Sequence, residues 1–145
     1  QYGLGPGELS GPGSLELCGD ALLVCNGDRV SAFTRCTLTF IGEVGGTGRN
    51  PGRFQGASDM AVCDVDYVGS GRGLFVCDER NHRVQVFDAD LSGAEQGQLP
   101  ALAFGREGTA PGEFRKPTAI TACRGRLVVG EFSGRRLQVL SVLGE

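Results

Sequence analysis

The chain has 145 residues, 40% of them apolar, with a formal net charge of −3. That suffices for one ordinary domain with a packed core, and it excludes a disordered chain and a nucleic-acid binder driven by bulk charge. Glycine, at 25 residues without a Gly-X-Y period, and six prolines predict many turns between short elements.

No run is long and apolar enough to span a membrane, and no basic-then-apolar leader opens the chain. The start at Gln1 reads as a fragment or a processed form. Three copies of one unit follow in order. Each opens on a short marker: Pro6-Gly7-Glu8-Leu9, Pro51-Gly52-Arg53-Phe54 and Pro111-Gly112-Glu113-Phe114. Pro12, Ala57 or Pro117 stands three residues after the apolar anchor. A first apolar run then covers Leu15 to Cys18, Met60 to Cys63 and Ile120 to Cys123. A second holds Leu22-Leu23-Val24, Leu74-Phe75-Val76 and Leu127-Val128-Val129. A polar residue closes it (Asn26, Asp78, Glu131), and a turn leads to Arg29, Arg83 or Arg136. A third run covers Val30 to Phe33, Val84 to Phe87 and Leu137 to Leu140. A fourth is expected at Thr37 to Ile41 and at Leu99 to Phe104, with Tyr2-Gly3 as the tail of an earlier one. Copy two carries extra residues at Asp64 to Arg72, expected as an exposed polar hairpin extension, and at Asp88 to Gln98.

The runs alternate with period two or are short and continuously apolar, and Gly, Asp, Asn and Pro punctuate them, so they read as antiparallel strands joined by hairpins. No stretch keeps a helical apolar period. Four strands in a repeat of roughly 40–50 residues is the signature of a β-propeller blade, which must pack on its neighbours to bury a core. The chain is therefore expected to be all-β, a single segment over 1–145. Blade 1 covers about 6–42, blade 2 about 51–105 and blade 3 about 111–145, the last with an incomplete outer strand. The six cysteines fall where hairpin pairing does not bring them face to face, so they read as free thiols in a reducing compartment, and the expected location is cytoplasmic.

The stretch Leu74-Phe75-Val76-Cys77-Asp78-Glu79-Arg80-Asn81-His82-Arg83-Val84-Gln85-Val86-Phe87-Asp88, with its Pro-Gly-x-Phe opening, resembles the NHL repeat. Asn81-His82 match the first two residues of the family's triplet, and Arg83 takes the third place. The resemblance is strongest in copy two. Copy three departs with Gly134-Arg135-Arg136, and copy one shortens the turn to Gly27-Asp28-Arg29. It implies a ring of about six blades, of which three would form half. It also implies that the face bearing the loops between blades binds protein or single-stranded RNA.

Asn81 is expected to serve the turn through a left-handed backbone, as Gly134 and Gly27 at the equivalent place suggest. The recurring arginines Arg29, Arg83 and Arg136 are expected to bridge blades and pair with Asn26, Asp78 or Glu131. His82, the only histidine, reads as solvent-facing rather than a metal ligand, because a metal site needs several convergent donors. Asp64 and Asp66 lack the further acids of a calcium loop, and no cofactor is expected.

Ring geometry places the loops between blades and the turns after the second strands on one face. That candidate binding face holds Arg49, Arg53, Arg80, Arg83, Arg106, Arg115, Lys116 and Arg135, interrupted by Glu8, Glu43, Glu79, Glu107, Glu113 and Glu131. The opposite face gathers Asp64, Asp66, Asp88, Asp90 and Glu95, diluted by Arg35, Arg72, Arg124 and Arg126. The expected function is a non-catalytic scaffold that binds a protein partner through the basic face. RNA binding by that face ranks second, because exposed aromatics for stacking are few. A metal-dependent hydrolase or lyase propeller ranks third. Closing the ring needs further blades of a parent chain or a second copy.

Overall fold

The computed structural model describes residues 5–143. Eleven strands form three antiparallel sheets, each a simple meander. The first sheet contains β1 (Pro12–Cys18), β2 (Ala21–Asn26), β3 (Arg29–Thr34) and β4 (Phe40–Gly45). The second contains β5 (Ala57–Asp64), β6 (Arg72–Asp78), β7 (Arg83–Asp88) and β8 (Leu102–Phe104). The third contains β9 (Pro117–Cys123), β10 (Arg126–Glu131) and β11 (Arg136–Ser141). The one helical feature among the described residues is a single 3-10 turn, Glu79–Asn81.

The inner strands β1, β5 and β9 lie side by side in that order, so the sheets fan out as blades around a common axis. Asp59 on β5 ties the three together, accepting hydrogen bonds from Ser14 Oγ on β1 (2.6 Å) and the Ile120 amide on β9 (2.9 Å). Each inner strand opens on Pro12, Ala57 or Pro117 and slips register within its first few residues. A proline fits there because the first position of a strand does not need its N–H for the ladder.

Alternation gives every blade two apolar faces, and two cores result. Leu23, Cys25, Val30, Ala32 and Val44 of the first blade pack on Met60, Leu74, Val76 and Phe87 of the second. The other face of the second, with Ala61, Phe75, Cys77, Val84 and Val86, packs on Ile120, Leu127, Val129 and Leu140 of the third. We call the face that meets the following blade the exit face and the other the entry face.

Several expectations need correction. The fourth strand of the first blade begins at Phe40, because residues 34–39 form a turn held by the Thr34 and Thr37 hydroxyls, with Leu38 left-handed at φ 54°. The fourth strand of the second blade shrinks to three residues, with Pro100 and an exposed Leu99 outside it. The 65–71 extension is not merely exposed: Tyr67 donates to the Val142 carbonyl (2.7 Å) and, with Val65, packs on the second core. The 89–98 segment buries Leu91 and runs back along the outer strand β4, where Gly97 N–H reaches the Gly45 carbonyl (2.8 Å). It therefore covers a sheet edge. It also carries Glu95 away from the opposite face, next to Gln96, which bonds Glu43 (2.8 Å). Tyr2-Gly3 lies outside the described residues.

Candidate binding face

The loops entering each blade are held from beneath by one polar clamp, built on the same plan in the second and third blades. The Pro-Gly-x-Phe loop first drops an aromatic ring into a core: Phe54 and Phe114 are fully buried. Gly45 and Gly105, both at positive φ, close over them, and a Cβ at either would lie within 2.7 Å of a ring carbon.

Around that anchor, Arg83 Nε donates to Asp78 (2.7 Å) and its terminal nitrogen to the carbonyls of Asn50 (3.1 Å) and Arg53 (2.9 Å). Gln85 receives the Gly52 amide (2.8 Å) and donates to the Arg53 carbonyl (2.7 Å) and to Asp78 (3.1 Å). Asp78 also accepts from the Gln55 amide (2.8 Å). In the third blade Arg136 donates to Glu131 (2.6 Å) and to the carbonyls of Thr109, Ala110 and Glu113. Gln138 receives Gly112 N–H (3.0 Å) and donates to the Glu113 carbonyl (2.7 Å), and Glu131 accepts the Arg115 amide (2.8 Å). Burial pushes the Glu131 carboxyl up, but the hydrogen bonds from Arg136, Arg115 and Gln138 outweigh it and hold the group below the usual range. In the first blade Asn26 accepts from the Ser10 and Gly11 amides (2.7 and 3.1 Å), while Arg29 reaches the Gly5 and Glu8 carbonyls and pairs with Glu43 (3.3 Å).

The recurring arginines thus hold the connection that leads from the preceding blade into their own, and Arg29 pairs with Glu43. Junctions between blades are capped by the residue just before each arginine. Asp28 Oδ1 accepts the Gly56 amide of the second blade (2.7 Å), and His82 Nδ1 accepts the Lys116 amide of the third (3.1 Å). His82 is therefore a half-buried cap with Nε2 3.8 Å from Glu107, not a purely solvent-facing group. It is also the left-handed residue of its turn (φ 53°), as is Arg135 (φ 52°) in the third blade. Asn81 stays right-handed and acts through its side chain, donating to the Gly48 carbonyl and to Asp78 (both 2.9 Å). Gly134 replaces Asn81 where the longer Glu131 replaces Asp78, since a Cβ there would lie 2.5 Å from Glu131 Oε1.

These contacts bring the two loop sets together on one face. Of the eight cations expected there, Arg83 belongs to the clamp. Arg106 pairs with Glu113 (2.7 Å), and that hydrogen bond lowers the Glu113 pKa. The Arg53 guanidinium lies beside Gly46 and Gly97, and Lys116 is half-buried. Arg49, Arg80, Arg115 and Arg135 are exposed. The sequence reading missed Gln85 and Gln138, whose shared place two residues after the arginine was the available signal. It also missed Phe132, 73% exposed in the turn between β10 and β11.

Residues 64–87 match the model of the NHL repeat family. A search of curated proteins found no match for the chain. Among solved structures, the chain is similar to the WD40 β-propeller domain of Doa1, with a TM-score of 0.61 and 12% identity over 93% of this chain and 38% of that one. It is similar to the computationally designed protein Ika8, with a TM-score of 0.54 and 14% identity over 95% and 37%. It is also similar to Kuenenia stuttgartiensis hydrazine synthase, with a TM-score of 0.52 and 16% identity over 92% and 36%. The chain thus spans little more than a third of the length of these structures, and at such identities the likeness shows the fold. Three blades fanned around one axis, with an NHL-repeat match confined to residues 64–87 of the second, make the chain part of a β-propeller.

Proposed function

We propose that the chain is a non-catalytic interaction module that binds a partner protein through the loop face. One observation carries this reading: exposed Arg49, Arg80, Arg115 and Arg135 share that face with the exposed Phe132, on loops the clamps hold rigid. Arginine and aromatic side chains dominate binding hot spots between proteins, and loops fixed in advance lose little entropy on binding. The propeller fold is of a kind typically used for protein interaction.

Single-stranded RNA is the second reading. It is supported less, because exposed Glu107 and half-buried Glu79 break up the cations, and base stacking favours several aromatic platforms. The metal-dependent hydrolase or lyase reading needs converging ligands, and among the described residues no group of His, Cys, Asp and Glu is arranged to hold an ion. The proposed location is cytoplasmic, supported by six cysteines that are all free thiols. Among the described residues no helix is long and apolar enough to cross a membrane.

A photo-crosslinking residue at Arg80 or Arg115, compared with one at Asp90, tests the face. Protein adducts from the first pair and none from Asp90 are expected. Nuclease-sensitive adducts would turn the assignment to RNA, and adducts from Asp90 alone would overturn it.

A further inference from the structure

A cleft of about 370 Å³ opens where the first blade meets the second, on the face opposite the loops. Half-buried Ala21 and Ile41 and buried Ala32 and Leu91 line it, together with exposed Arg72 and Asp90 and the half-buried thiol of Cys18. Every lining residue belongs to the first two blades, which pack on each other here. Small-molecule sites have this form: a largely apolar hollow of about 300 Å³ or more with a few polar groups in it.

The same place at the next junction is filled. Val86 stands in the second blade where Ala32 stands in the first, because each pairs with the middle of the second strand, Phe75 or Leu23. Gly73 is the counterpart of Ala21, and Cys63 of Cys18. Val65 from the 65–71 extension lies against Gly73, where an added Cβ would be 3.1 Å from its methyl group, and packs on the second core with Tyr67 and Cys63. The first blade turns from β1 to β2 in two residues, Gly19-Asp20, and its small Ala32 leaves the hollow open. Cys18 therefore holds the place of Cys63 with an open cleft beside it. Arg72 crosses from the second blade and donates from a terminal nitrogen to Cys18 Sγ (3.5 Å). Reactive cysteines sit in electropositive, partly exposed surroundings of this kind.

We infer that Cys18 is a site of mixed-disulfide formation with a small, carboxylate-bearing peptide thiol of the glutathione class. The thiolate of Cys18 attacks one sulfur of the peptide disulfide. The new S–S bond forms as the old one breaks, and the departing peptide thiolate keeps the electron pair and takes up a proton. The proton released by Cys18 goes to solvent, so the peptide disulfide is the only oxidant consumed. Arg72 has further donors in a planar fork that matches a carboxylate, and Asp90 in the same cleft suits the peptide's ammonium group.

Brief exposure of the folded chain to glutathione disulfide, or to the uncharged hydroxyethyl disulfide, followed by peptide mass spectrometry tests this. Cys36 is the internal reference: it is the more exposed thiol, so access alone favours it with either reagent. Glutathione disulfide should instead modify Cys18 faster than Cys36. With the uncharged reagent the ratio of Cys18 to Cys36 should fall about tenfold, the order of one charge-assisted hydrogen bond. Arg72→Ala alters an exposed side chain and should lower the ratio for glutathione disulfide to a similar extent. A Cys18 rate at or below that of Cys36 with glutathione disulfide would overturn the inference. So would equal ratios for the two reagents, or an unchanged ratio in folded Arg72→Ala. Should that variant fail to fold, the two reagents on the unaltered chain decide alone.

Discussion

Replacing Arg83 with alanine should be among the most damaging single changes on the loop face, although the residue lies at its rim. The Asp78 side chain has no exposure and the Arg83 side chain only 15%. Removing the guanidinium strands a buried carboxylate, and breaking a buried pair from one side costs about 3–5 kcal/mol. Asp78 keeps donors from Gln55, Asn81 and Gln85, and water can reach the exposed Asn50 carbonyl, so the low end applies, about 3 kcal/mol. At this size that corresponds to a fall in Tm of roughly 12 °C. Urea unfolding of Arg83→Ala, Asp78→Ala and the double variant should give a coupling energy of about 2 kcal/mol. The control Arg49→Ala, on the same face but outside any clamp, should stay within about 0.5 kcal/mol of the unaltered chain. If Arg83→Ala cost no more than Arg49→Ala, the pair would be an ordinary surface ion pair and the clamp argument would fail.

Gly134→Ala should destabilise by about 1–3 kcal/mol through overpacking against Glu131, and adding Glu131→Asp should recover part of the loss; chemical unfolding that shows no recovery would contradict the size argument. The Glu131 pKa is lower folded than unfolded, so its contribution to stability is complete above its ordinary value of 4.5 and fades as pH falls through the folded value. Stability measured from pH 6 to pH 2 should therefore fall less steeply in Glu131→Gln than in the unaltered chain. Burial pushes the Cys25 thiol up to about 12, with Asp59 adding to the effect, and raises Cys77 as well. A thiol reagent at pH 8 should modify exposed Cys36 and Cys123 quickly, and Cys25 and Cys77 only on unfolding. Fast labelling of either buried thiol in the folded chain would refute their placement.

Strand order, the three blades and the recurring arginines were legible because alternation and a repeated marker are local signals. What was not legible depended on partners distant in sequence. Gln85 reads as an outward polar residue between Val84 and Val86, and it does leave the face they share. The side it turns to is nonetheless buried, because the Pro-Gly-x-Phe loop folds over it from some 30 residues upstream. His82 looked solvated because nothing nearby in sequence needs it; its partner, the Lys116 amide, belongs to the next blade. The left-handed position was placed one residue early at Asn81, because glycine at the equivalent site of the third blade suggested a backbone need. That glycine instead makes room for the longer Glu131 side chain. The binding face was legible as a set of loops but not as a ranking, since sequence does not tell a clamp arginine from an exposed one.

The chain's single methionine offers the most direct test of the stacked blades. Met60 is 2% exposed in the core shared by the first two blades. A selectively labelled Met60 methyl should give one resonance with nuclear Overhauser contacts to methyl groups of Leu23 and Val30 in the first blade. Contacts confined to Leu74 and Val76 of its own sheet would show that the blades do not pack exit face to entry face.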